Sequence, residues 1–116
     1  MNTVRITPDL TVADVNTTTA FYSDIAGLQT VMDGGWVTIL ADPGRPEVQL
    51  LLLTRDATAP INPDVSIQVD DVEAAYAAAR ARGAEIVHPL TAEPWGVRRF
   101  FVRDPDGRVV NVLAHL

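Results

Sequence analysis

The 116-residue chain contains no cysteine and no lysine. Without cysteine it has no disulfide framework, thiolate zinc site, iron–sulfur cluster or thiol nucleophile. Without lysine it can form no Schiff base and supply no P-loop cation. Serine is confined to Ser23 and Ser66, and neither sits in a nucleophile elbow. Bases are outnumbered: nine arginines face fifteen acids, for a net charge of −6. That balance argues against nucleic acid or an anionic membrane as partner. No apolar run approaches the ~20 residues of a membrane span, and Met1 to Leu10 carries no signal-peptide core. What remains is ordinary globular composition, 47% hydrophobic and 21% charged. The expectation is a cytoplasmic protein of one domain, 1–116, whose partner is a small molecule.

Punctuation along the chain separates the elements. Val4 to Val12 leans to strand. Asp14 stands where an N-cap would, Val15, Thr18, Tyr22 and Ile25 fall at helical spacing, and Gly27 is a stop. Gly34-Gly35 marks a turn, Trp36 to Ala41 a strand, Asp42-Pro43-Gly44 a turn, and Val48 to Leu53 a buried strand. Thr54 to Pro63 is polar and proline-containing, and the linker is set at about 55–62. Beyond it Asp64 to Val69 reads as a strand. Asp70 with Glu73 fits a capping box for a helix whose stripe is Val72, Ala75, Tyr76 and Ala79, ended by Gly83. A short strand at Ala84 to Val87, an irregular stretch, a strand at Phe100 to Arg103, a turn at Asp104 to Gly107 and a strand at Val109 to Leu113 complete the chain.

The halves echo one another. Pro8-Asp9-Leu10-Thr11-Val12 and Asp14-Val15 before a glycine-ended helix return as Pro63-Asp64-Val65-Ser66-Ile67 and Asp71-Val72 before another. Asp42-Pro43-Gly44 before Val48-Gln49-Leu50-Leu51 returns as Asp104-Pro105-Asp106-Gly107 before Val110-Asn111-Val112-Leu113. Each half reads strand, helix, strand, strand, strand, so the expected fold class is α+β, two βαβββ modules in tandem. Module one spans about 1–54 and module two about 63–116.

A doubled βαβββ module of this length resembles the vicinal-oxygen-chelate superfamily of glyoxalases, bleomycin-resistance proteins and extradiol dioxygenases. Ala20-Phe21-Tyr22-Ser23-Asp24 with Gly27-Leu28 is similar to the family's first helix, and Val69-Asp70-Asp71-Val72-Glu73 to the opening of its second. Phe100-Phe101-Val102-Arg103-Asp104-Pro105-Asp106-Gly107 is similar to its C-terminal motif. The resemblance implies a cavity on the concave sheet face, a homodimer and, in the enzymes, a divalent ion held by His and Glu from the first and last strands of each module. Its slots fall here at Thr7 or Asp9, at Asp64, and at Gln49 and Asn111. Amides replace both glutamates, and amides and hydroxyls are weak neutral ligands for such ions. No metal, cofactor or catalytic residue is therefore assigned. His88 reads as a solvated or capping histidine in a loop, and His115 as a terminal surface one.

The remaining candidates suit binding. Trp36 opens a strand of module one, and the resemblance puts Trp95 at the cavity mouth; aromatic surfaces beside a few polar groups are usual in small-molecule sites. Gln49 and Asn111 would leave costly unpaired amides in apolar runs unless they face a pocket or pair with each other across the modules. Arg98 and Arg99 read either as partners for an anionic ligand group or as a solvated rim with one internal salt bridge. The ligand-binding set is Trp36, Gln49, Trp95, Arg98, Phe100 and Asn111. The expected function is metal-independent binding of a cationic or aromatic, antibiotic-like ligand, as in bleomycin resistance. The alternative is a divalent-metal-dependent glyoxalase-like or dioxygenase enzyme with Asp9, Glu47 or Asp64 as unorthodox ligands.

Overall fold

Two aspartates open the two helices. Asp14 accepts hydrogen bonds from the Asn16 and Thr17 N–H groups and caps α1 (Val15–Ala26), which Gly27 closes at φ 72°. Asp71 accepts from the Ala74 N–H and caps α2 (Val72–Ala81). The expected cap at Asp70 is thus one residue early: the Asp70 carboxylate instead accepts from the Asn2 N–H at 2.7 Å. A free carboxylate at the cap satisfies helix donors that have no intrahelical partner, so either aspartate could have served by residue type alone.

The computed structural model describes residues 1–116. Its strands are β1 (Thr3–Thr11), β2 (Gln29–Asp33), β3 (Val37–Asp42), β4 (Arg45–Leu53), β5 (Val65–Val69), β6 (Ile86–Ala92), β7 (Val97–Arg103) and β8 (Val109–His115). With α1 after β1 and α2 after β5, the chain is βαβββ twice over, an α+β fold. All eight strands join one sheet in the order β2-β3-β4-β1-β5-β8-β7-β6. The seam between the halves is the antiparallel pair β1–β5, where Thr7 lies opposite Ser66. On either side of it β1 runs parallel to β4 and β5 parallel to β8.

Two strands depart from the expected pattern. β2 gave no signal because every one of its residues is exposed, leaving no alternation to read. β6 runs straight through Pro89, where an irregular stretch was expected. It is an edge strand with a register shift between His88 and Thr91, which is where a sheet tolerates a residue without an N–H.

Helices cover the convex face unequally. Beneath α2, Val69, Val72 and Phe100 form a buried cluster, with the Tyr76 ring 4.9 Å from that of Phe100. α1 buries none of its residues, and Phe21 and Ile25 stand 54% and 63% exposed. The concave face is what positions the site. Trp36 lies between β2 and β3, and Trp95 between β6 and β7, so they belong to hairpins at opposite ends of the strand order. Their rings nevertheless meet edge to face at 5.5 Å. The contact requires the sheet to curl on itself, and it closes the cup within a single chain. No helix is long and apolar enough to cross a membrane.

Candidate functional site

Strand alternation sends every second residue into the cup. On β1 these are Arg5 and Thr7; on β5, Ser66 and Gln68; on β4, Gln49 and Leu51; on β8, Asn111 and Leu113. Together with Trp36 and Trp95 they line a cavity of about 460 Å³. That lies within the ~300–1,000 Å³ typical of small-molecule sites.

Four of the six residues expected at a ligand site share this cavity: Trp36, Gln49, Trp95 and Asn111. Arg98 and Phe100 point to the other face. Phe100 is 1% exposed beneath α2, and the Arg98 Nε lies 2.7 Å from a Glu73 carboxylate oxygen on that helix. Alternation explains both, since it is Arg99 between them that turns inward.

Arg99 is not a solvated rim. It is 4% exposed, donates from Nη1 and Nη2 to the Asp56 carboxylate at 2.8 Å each, and from Nε to Glu93 Oε2 at 2.6 Å. Its guanidinium carbon lies 4.9 Å from the Trp95 ring centroid and 4.7 Å from that of Phe101. Burial pushes the Asp56 carboxyl up, but Arg99 and the Thr58 and Ala59 N–H groups outweigh it and hold it below its ordinary range. Glu93 behaves alike: burial raises it, while the Thr58 hydroxyl and Arg99 more than reverse the effect. His88, expected in a loop, is 8% exposed on β6 with Nε2 3.3 Å from Glu93 Oε2 and its ring 5.3 Å from Phe101. His115 is exposed at the cavity wall. This network ties the segment after β4 to the β6–β7 hairpin and so fixes Trp95.

The cup floor is built of hydroxyls and amides. Thr7 Oγ1 lies 3.5 Å from Gln49 Oε1 on one side of the seam, and Asn111 Nδ2 donates to Ser66 Oγ at 3.0 Å on the other. Ser66, beside Asn111 in the β5–β8 register, takes the place expected for Asp64. The Asp64 carboxylate instead accepts from the Val109 N–H at 2.8 Å. Two hydroxyls and two amides do not fit a divalent ion that wants imidazole or carboxylate. Nor do Asp9, Glu47 and Asp64 converge: no three His, Asp or Glu side chains in the chain are placed to hold one.

One carboxylate does lie against the floor. Asp9 is 4% exposed and accepts from Ser66 Oγ at 2.6 Å. Its other oxygen and Asn111 Oδ1 are both buried without a hydrogen-bond partner. Burial raises the Asp9 carboxyl to about 7, against the lowering pull of the Ser66 hydrogen bond.

The model of the family described as "Glyoxalase/Bleomycin resistance protein/Dioxygenase superfamily" matches residues 3–112. No match was found among curated proteins. Among solved structures, a glyoxalase/bleomycin resistance protein/dioxygenase superfamily member from Vibrio splendidus 12B01 is similar, with 22% identity, a TM-score of 0.70 and coverage of 95% of this chain and 97% of that one. A structure described as NAD-dependent benzaldehyde dehydrogenase from Legionella pneumophila matches at 16% identity and TM-score 0.76, covering 96% and 99%. A methylmalonyl-CoA epimerase variant from Streptomyces coelicolor, in complex with 2-nitronate-propionyl-CoA, matches at 19% identity and TM-score 0.71, covering 98% and 99%. At these identities the likeness is one of fold.

Proposed function

The chain belongs to the Glyoxalase/Bleomycin resistance protein/Dioxygenase superfamily, and from that premise we propose that it is a metal-independent binding protein for a small aromatic molecule. The observation that carries this reading is the composition of the cup: a tryptophan pair opposite a floor of hydroxyls and amides. The tryptophan faces supply apolar area at little entropic cost, and the floor supplies hydrogen bonds that orient a guest. Sequestration of an antibiotic-like molecule in the cytoplasm is the role this reading extends to. The runner-up, a divalent-metal-dependent glyoxalase-like or dioxygenase activity, lacks three converging imidazole or carboxylate donors in the same cup.

Titrating intrinsic tryptophan emission tests the proposal. After dialysis against EDTA, 2-naphthol is expected to quench saturably, and Trp95→Ala to weaken its binding about tenfold, the worth of one good aromatic contact. A response that appears only when Zn²⁺, Ni²⁺ or Mn²⁺ is added back would replace this reading with the metal-dependent one.

A homodimer forms part of the same proposal. Val4, Ile6, Phe21 and Ile25 are each more than half exposed, apolar area that a second copy would cover. Light scattering on the eluting peak of a sizing column is expected to give twice the chain mass. Replacing Phe21 and Ile25 with Asp and Lys is expected to halve it.

A further inference from the structure

The cup offers a ligand a charged donor with unused N–H groups but no unengaged carboxylate. The one carboxylate in its lining, Asp56, is already engaged. Asp56 Oδ1 accepts from Arg99 and from the Thr58 and Ala59 N–H groups, and Oδ2 accepts from Arg99. Glu93 Oε2 accepts from the Thr58 hydroxyl and from Arg99, and faces His88. The orphaned oxygens of Asp9 and Asn111 are too deeply enclosed for solvent to reach.

The donors differ. Arg5, on the cavity wall, makes one side-chain hydrogen bond, from Nη2 to Gln68 Oε1 at 2.8 Å, and has no carboxylate within ion-pair distance. A guanidinium carries five N–H donors, so most of its fork is free. Because arginine only donates, the Gln68 oxygen must face it, and the Gln68 –NH₂ is left free as well. Arg5 and Gln68 lie opposite one another across the β1–β5 seam, so their donors converge on one spot of the cavity wall.

We infer that the guest is an organic acid: its carboxylate seats on the Arg5 fork and the Gln68 amide, and its apolar body fills the space toward Trp36 and Trp95. A planar two-oxygen anion matches the guanidinium fork, and the remaining walls, among them Ile39, Leu51 and Val97, are apolar. This rests on the reading of the cup as a binding site and names what it binds. Of the cationic or aromatic guests expected it disfavours the cationic, because a cationic head would meet Arg5 and no unengaged carboxylate at the cavity surface.

Isothermal calorimetry with three probes that share one ring system tests it: 2-naphthoate, 2-naphthamide and 2-naphthylmethylammonium. The acid is expected to bind roughly 10- to 100-fold more tightly than the amide, as a charge-assisted pair implies, and the ammonium probe most weakly. Arg5→Gln should weaken the acid far more than the amide and so erase the preference for the acid, and Arg5→Lys should restore part of it. Equal binding of acid and amide by the wild type, unmoved by Arg5→Gln, would overturn the inference and leave the cup reading intact. Tightest binding of the ammonium probe would also overturn it. Failure of all three to bind would sink the cup reading itself, and this inference with it.

Discussion

Replacing Arg99 with leucine is expected to cost about 3–5 kcal/mol of stability at neutral pH, the loss typical when one partner of a buried ion pair is removed. The reason is what stays behind. Asp56 and Glu93 are 4% and 5% exposed, and without the guanidinium Asp56 keeps only the Thr58 and Ala59 N–H groups and Glu93 only the Thr58 hydroxyl and the His88 ring. Leucine fills part of the volume but also gives up the sandwich between the Trp95 and Phe101 rings. Urea unfolding at several pH values separates this cause from simple repacking. In the wild type the carboxyls of Asp56 and Glu93 are held below their ordinary range, so their stabilisation is present at neutral pH and lost as pH falls through those lowered values. In the leucine variant burial is opposed only by the Thr58 and Ala59 N–H groups at Asp56 and by the Thr58 hydroxyl and His88 at Glu93, so both carboxyls rise from their lowered values and acidification relieves part of the cost. The gap between the two proteins should therefore narrow on going from pH 7 toward pH 4. A gap that is small at neutral pH, or that keeps its size on acidification, would show that the ion network does not hold this end of the cup.

The same substitution bears on binding. Trp95 is 44% exposed, and its contacts with Arg99 and Trp36 are what fix its ring over the cavity. Arg99 therefore acts as a positioning residue. Its lysine variant keeps the charge but loses the fork that bridges Asp56 and Glu93, so an intermediate stability is expected.

Local chemistry was legible where it decides structure alone. Asp14, Gly27 and the Asp-Pro turns announce the ends of elements, because capping and positive φ demand particular residue types. The doubled arrangement followed from their order. Trp36 and Trp95 were visible as rare side chains, but nothing in the sequence says that they touch, since the contact joins hairpins from opposite ends of the sheet order. The pair Arg98 and Arg99 shows the limit most sharply. Residue type cannot distinguish them, and a strand start placed at Phe100, when β7 begins at Val97, hides the alternation that sends one to Glu73 and the other to Asp56. Asp56 itself sits in the segment between β4 and β5, where an acid between Arg55 and Ala57 in a proline-containing stretch reads as solvated loop. Ser66 gained its place only through register. Aligning the repeat on its Pro-Asp pairs picks Asp64, whereas strand pairing sets Ser66 beside Asn111. Placing a slot two residues off along a strand preserves its face but changes its chemistry.

Asp9→Asn is expected to stabilise the protein by up to about 4 kcal/mol at pH 8, the free energy of holding a carboxyl at about 7 rather than 3.8. The sign follows from proton counts. Between those two values the folded state keeps the Asp9 proton and the unfolded chain has released it, so wild-type stability falls as pH rises, by about 1.4 kcal/mol per unit, and levels off above the folded value. The asparagine has no proton to lose. Its carbonyl oxygen can still accept from Ser66 Oγ, and its –NH₂ replaces the buried oxygen that now has no donor. Below pH 4 both forms are neutral at this position and should be nearly equal in stability. The shifts of Asp56 and Glu93 are common to both proteins and largely cancel in the difference, which isolates residue 9. Denaturant midpoints of the two proteins at pH 4, 6 and 8 suffice to measure it. Midpoints that stay parallel across that range would mean that Asp9 is ionised at no cost, and the floor of the cup would then carry a standing negative charge against which an acidic guest would have to bind.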